Sequence, residues 1–182
     1  FKDVSGWEGA DWFAGAGVEP AEPTPTWGRP DSWARWEAEH RAVRERVGLF
    51  DMSFMAKFEV TGPDAGALLD QLSANSVDGA SGRITYTQWL NAGGTLEADL
   101  TVTKRAEGDF LVVASDTAHR HVLAWLRRHA SGHRVAVADV TSGLAQLTVQ
   151  GPRSRELLSA LTSADMSDAA FGFRDAREID LG

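Results

Sequence analysis

Residues 86–103, YTQWLNAGGTLEADLTVT, alternate polar and apolar positions on both sides of an Asn-Ala-Gly-Gly turn. A period of two marks a half-buried strand, and Asn and Gly tolerate the positive φ of tight hairpin turns. A symmetric loop makes facing residues sum to 185, so that Trp89 opposes Leu96 and Tyr86 opposes Asp99. A bulge or a three-residue loop moves that register by one. On this reading Leu96, Ala98, Leu100 and Val102 share one side of the second strand, suited to packing against helices. Thr95, Glu97, Asp99, Thr101 and Thr103 share the other, joined by Tyr86 and Gln88.

The same patterning divides the rest of the chain. After Pro30, Asp31 or Ser32 is placed to cap a helix in which Trp33, Trp36, His40, Val43 and Val47 recur at helical spacing, with Gly48 as its stop. A β-like run ends at Val60, Gly62-Pro63 turns the chain with Pro63 at the first helical position, and Ala65 to Leu72 make a short helix. The unit recurs: Val60-Thr-Gly-Pro with its following leucines matches Val149-Gln-Gly-Pro without a gap, and upstream Asp51-Met-Ser53 answers Asp139-Val-Thr141 with one residue of offset. Residues 109–115 (DFLVVAS) read as a buried strand, and DTAHRHVLAWLRRHA as a helix capped by Asp116 or Thr117, with Val122, Leu123 and Leu126 on its apolar face. HRVAVADV reads as a further strand. This order predicts an α+β fold with a mainly antiparallel sheet and packed helices.

Residues 1–30 hold four of the six prolines, which disfavour helix and central strand. Trp7, Trp12, Phe13 and Trp27 are apolar enough to predict an extended arm pinned by its aromatic rings to a body formed by residues 31–182.

Composition narrows the function classes. The 182-residue chain is 43% hydrophobic and 24% charged, ordinary for a globular protein. A formal net charge of −8 argues against wrapping nucleic acid. No apolar run reaches the ~20 residues of a membrane span, and no signal segment opens the chain. The absence of cysteine removes disulfides, thiolate metal sites and a cysteine nucleophile, and fits a reducing compartment. His40, His119, His121, His129 and His133 fall in no metal-binding motif, so no metal is expected. The start lacks methionine and the closing REIDLG reads as a strand beginning, so the chain is expected to be a fragment of a longer polypeptide. Two readings fit the face that carries Asp99: a solvated sheet surface, or a cavity wall where Tyr86 offers a flat ring and Asp99 a carboxylate for a ring nitrogen.

The motifs EHRAVRERVGLFDMSFMAKFEVTGPDA, ITYTQWLNAGGTLEADLTVT, FLVVAS and VQGPRSRELL, in that order over residues 39–161, resemble the aminomethyltransferase (glycine-cleavage T-protein) family. GWEGADWFA followed by GRPDSW looks like the segment preceding this domain in dimethylglycine and sarcosine dehydrogenases. The resemblance implies the N-terminal part of a tetrahydrofolate-binding domain over residues 31–182. It also implies a one-carbon transfer from an oxidised methylamine or glycine-type substrate to give 5,10-methylenetetrahydrofolate. It places the family's key acid at Asp99, and pocket residues at Tyr86, Met55 and Val113. FAD would belong to an amine-oxidising domain upstream, since no GxGxxG occurs here. The family's pocket segment Tyr-x-Gly-Glu and a later arginine would follow the last residue. The alternative is a non-catalytic folate-binding or docking module of such a flavin enzyme. The compartment implied is the cytoplasm, or the mitochondrial matrix in a eukaryote.

Overall fold

The computed structural model describes residues 2–4, 7–19 and 24–182. Its strands are β1 (Lys2–Val4), β2 (Trp7–Gly9), β3 (Gly48–Asp51), β4 (Ala56–Thr61), β5 (Arg83–Leu90), β6 (Leu96–Ala106), β7 (Asp109–Ala114), β8 (Ala136–Asp139) and β9 (Leu147–Gln150). Its helices are α1 (Trp33–Glu45), α2 (Ala65–Leu72), α3 (His119–His129) and α4 (Ser154–Ser159). Five strands form an antiparallel sheet in the order β5-β6-β7-β4-β8, β1 pairs with β2, and β3 with β9. The expected α+β class with a mainly antiparallel sheet is the observed one.

The chain divides into two units, one of residues 1–49 with 149–154, the other of residues 50–148 with 155–182. In the larger unit one face of the sheet is the core. Ala56, Phe58 and Val60 of β4 line it with Leu100 and Val102 of β6 and Phe110, Val112 and Ala114 of β7. Leu68, Leu69 and Leu72 of α2 and Val122 and Leu126 of α3 cover them. The alternation along β4 is broken by Lys57, which is buried although it points to the other face.

The outer edge of β5 is covered rather than exposed. Ala74 donates its N–H to the Gln88 carbonyl (2.9 Å), and Asn75 bonds Thr87 Oγ1 (3.1 Å) and the Tyr86 carbonyl (2.9 Å). Trp89, fully buried, donates its indole N–H to Ser73 Oγ at 3.0 Å. Truncating a core tryptophan of this kind costs about 3–5 kcal/mol.

In the smaller unit α1 has the expected position but buries no residue, and Ser32 sits at its cap without a side-chain hydrogen bond. The aromatic pinning expected of the arm does not hold for two of its four rings. Phe13 and Trp27 are exposed, Trp27 fully, while Trp12 is half-buried. The Trp7 side chain lies outside the described residues. A short antiparallel ladder, Lys2↔Gly9 to Val4↔Trp7, occupies part of the segment where only extended chain was expected. Residues 177–182 do not form the anticipated strand.

Candidate functional site

The β5–β6 hairpin forms, but not in the symmetric register. Asn91 N–H bonds the Thr95 carbonyl (3.0 Å), enclosing a three-residue loop in which Gly94 takes φ +74°. The Asn91 side chain holds that loop, accepting from Gly93 N–H (2.9 Å) and Thr95 N–H (3.2 Å). Next, Leu90 pairs with Leu96 but Trp89 with Ala98, so Glu97 is the extra residue of a bulge. Loop and bulge each move the register by one. Tyr86 therefore opposes Thr101, not Asp99, and Gln88 opposes Asp99. A shift of two leaves Tyr86 and Gln88 on the same face as Asp99, as the alternation had placed them. Leu96 and Glu97 do change sides. Leu96 is exposed instead of lining the core, and Glu97 turns away from the Asp99 face to bond Asn91 Nδ2 and His121 Nε2, both at 2.8 Å.

Across the sheet Tyr86, Thr101, Val113 and Lys57 are successive ladder partners. Thr101 lies two residues from Asp99 on β6, so Tyr86 and Val113 flank Asp99 diagonally from either side, roughly 7–8 Å away between backbones. Met55 immediately precedes β4 and lies two strand spacings from Asp99, about 10 Å. Its carbonyl accepts from Lys57 Nζ at 2.7 Å, and that of Ser53 at 2.9 Å, so the buried ammonium ties down the turn that carries Met55. Three of the residues implied by the resemblance thus meet around Thr101, with Met55 at the rim. Thr101, Gln88 and Lys57 complete the array. Alternation alone assigns the first two to this face, but nothing in the sequence signals that Lys57 is buried.

Asp99 is exposed and Tyr86 is 47% exposed, so the face is an open platform, not a closed pocket. Gln88 Nε2 donates to Asp99 Oδ1 at 3.0 Å. Asp99 holds the Tyr86 phenol above its ordinary pKa, first by a side-chain hydrogen bond, then, after partial burial, by its charge; Gln88 acts in the opposite direction. A carboxylate acceptor, an adjacent flat ring and an aliphatic side chain can receive a planar heterocycle that presents N–H groups.

A cavity of about 520 Å³ lies elsewhere, lined among others by Leu72, Leu90, Glu97, Trp125 and Arg128, and contains none of the four residues expected at the site. The histidines of α3 splay apart. His119 bonds Asp139 (2.7 Å) and His121 bonds Glu97. Among the described residues no group of three or more His, Asp or Glu is arranged to hold a metal ion, and no helix is long and apolar enough to cross a membrane.

Comparison with known proteins adds to this geometry. The family model of the GCVT N-terminal domain matches residues 1–182. The chain is similar to 4-methylaminobutanoate oxidase (formaldehyde-forming) of Paenarthrobacter nicotinovorans, 38% identical over all of this chain and 22% of that protein. It is also similar to the mitochondrial dimethylglycine dehydrogenase of Rattus norvegicus, 32% identical over 97% of this chain and 21% of that one. Among solved structures it resembles the glycine cleavage system aminomethyltransferase T from Bartonella henselae, with a TM-score of 0.60 and 29% identity over 68% of this chain and 34% of that one. The chain spans about a fifth of the length of these two curated relatives.

Proposed function

This chain belongs to the family of the GCVT N-terminal domain, and from that premise we propose that it is the tetrahydrofolate-binding part of a larger enzyme. That enzyme moves a one-carbon unit from an oxidised methylated amine to give 5,10-methylenetetrahydrofolate. The observation that carries the reading is the convergence of Tyr86, Asp99 and Val113 around Thr101 on one open sheet face. When bound, tetrahydrofolate supplies the nucleophilic nitrogen that accepts the carbon. Asp99 accepts a hydrogen bond from a ring N–H and sets a fixed negative charge beside the nitrogen on which positive charge develops. Within hydrogen-bond reach it also takes or returns a proton there. Tyr86 offers its ring as a flat support, and Val113 and the polarisable Met55 bound the platform with apolar surface. The relatives' names, a methylaminobutanoate oxidase and a dimethylglycine dehydrogenase, support a methylated-amine donor; the oxidation itself, with FAD, would belong to another domain of the same polypeptide.

The test uses the full-length protein with dimethylglycine, sarcosine and 4-methylaminobutanoate in turn, measuring methylenetetrahydrofolate formation. Asp99→Asn is expected to reduce formation about 100-fold. Wild-type coupling in that variant overturns the catalytic role. Weaker tetrahydrofolate binding with an intact transfer step points instead to a non-catalytic folate-docking module.

A further inference from the structure

We infer that Gln88 is a positioning residue for Asp99, an inference that rests on the folate-site reading above. The three-residue loop and the Glu97 bulge together bring Gln88, not Tyr86, directly opposite Asp99. Its Nε2 donates to Asp99 Oδ1 at 3.0 Å. That bond engages Oδ1 from the neighbouring strand and restrains rotation of the carboxylate. Gln88 itself is half-buried and sits at a fixed rung of the ladder, so the donor is held by the sheet rather than by a loop. Tyr86 occupies the diagonal position and interacts with both side chains. The arrangement divides labour on one rung and its neighbour: Gln88 orients, Asp99 accepts, Tyr86 supports.

The chemistry predicts how substitutions differ. Gln88→Leu keeps bulk and removes the donor. Gln88→Glu keeps shape but repels Asp99 when ionised, and donates to it only when protonated. In the full-length protein, Gln88→Leu is expected to weaken tetrahydrofolate binding about tenfold by calorimetry at every pH. Gln88→Glu binds weakly at about pH 8 and recovers toward wild type as the pH falls to about 5, where its carboxyl, raised by the like charge beside it, gains a proton. A residue that only fills space gives a Gln88→Glu curve parallel to wild type, and that result overturns the inference. A second readout needs no folate. Crystal structures of Gln88→Leu are expected to show the Asp99 carboxylate in more than one rotamer, and a single wild-type rotamer overturns the inference too. Asp99→Asn separates the two levels. If it binds tetrahydrofolate like wild type the site reading fails, whereas a loss in Asp99→Asn beside unchanged Gln88→Leu binding sinks only the role of Gln88.

Discussion

Tyr86 is the chain's single tyrosine, so its ionisation can be read without interference from any other phenol. A neighbouring carboxylate disfavours phenolate, and the Tyr86 pKa accordingly lies above its ordinary value, with the Asp99 hydrogen bond as the first cause. Asp99→Asn removes both the charge and the charged acceptor. In that variant the tyrosinate absorbance of this chain is expected to rise at lower pH than in wild type. Unchanged titration curves mean that the two side chains do not interact in solution. The same pair shows what a residue-level reading of sequence can see. Alternation placed Tyr86, Gln88 and Asp99 on one face, because an even register shift preserves sides. It misassigned the opposing partner, because a Gly-rich loop does not announce whether it holds two, three or four residues. Glu97 was misread for the same reason, since a bulge residue obeys neither side of the alternation.

At the scale of elements, the two Gly-Pro units that looked alike in sequence are alike in conformation. Gly62 and Gly151 take φ of +134° and +121°, a region that L side chains rarely adopt. Their carbonyls accept from Ala65 N–H and Ser154 N–H, both at 3.1 Å. Upstream, Asp51 Oδ1 accepts from Ser53 N–H (2.9 Å) and Asp139 Oδ1 from Thr141 N–H (3.1 Å), the same Asx turn twice. A Cβ on Gly62 would lie 2.2 Å from the Arg134 carbonyl oxygen. Gly62→Ala is therefore expected to destabilise the fold by about 2 kcal/mol or more, measured by denaturant unfolding. The helix that follows spans Ala65–Leu72 as expected, with Asp64 as cap residue, so Pro63 sits just ahead of the helix and not at its first position. The Asp64 side chain does not cap α2. It bonds the Arg134 guanidinium (2.7 and 3.0 Å) and backbone N–H (2.8 Å), and these bonds lower its pKa to about 2. A depressed carboxyl stabilises the fold above the unfolded-state pKa of about 4, and that contribution fades as pH falls toward about 2. Stability measured across that interval is expected to fall less steeply in Asp64→Asn than in wild type. Short-range signals made the turn legible, but the partner, 70 residues away, was not.

For the whole molecule, the class of fold and the order of elements in the larger unit followed from hydrophobic period and turn signals, because β4, β6, β7, α2 and α3 each bury a face with that period. The N-terminal segment did not yield to the same reasoning. Aromatic content argued for anchoring, yet a ring is buried only if a complementary surface meets it, and composition cannot report that for Phe13 or Trp27.

The burial of Lys57 has a consequence for chemical footprinting. The chain has three lysines, Lys2, Lys57 and Lys104. Lys57 is 2% exposed with its ammonium on two backbone carbonyls, and Lys104 is 5% exposed between Asp78 (2.7 Å) and Glu107 (2.8 Å). An acylating reagent should therefore modify Lys2, whose side chain is 60% exposed, at once and reach the two sheet lysines only when the sheet opens. Mass spectrometry of the acylated chain would then time that opening at two places, one at the rim of the Asp99 platform and one on the opposite face. Rapid acylation of Lys57 in the folded chain would contradict the clamp drawn around Met55.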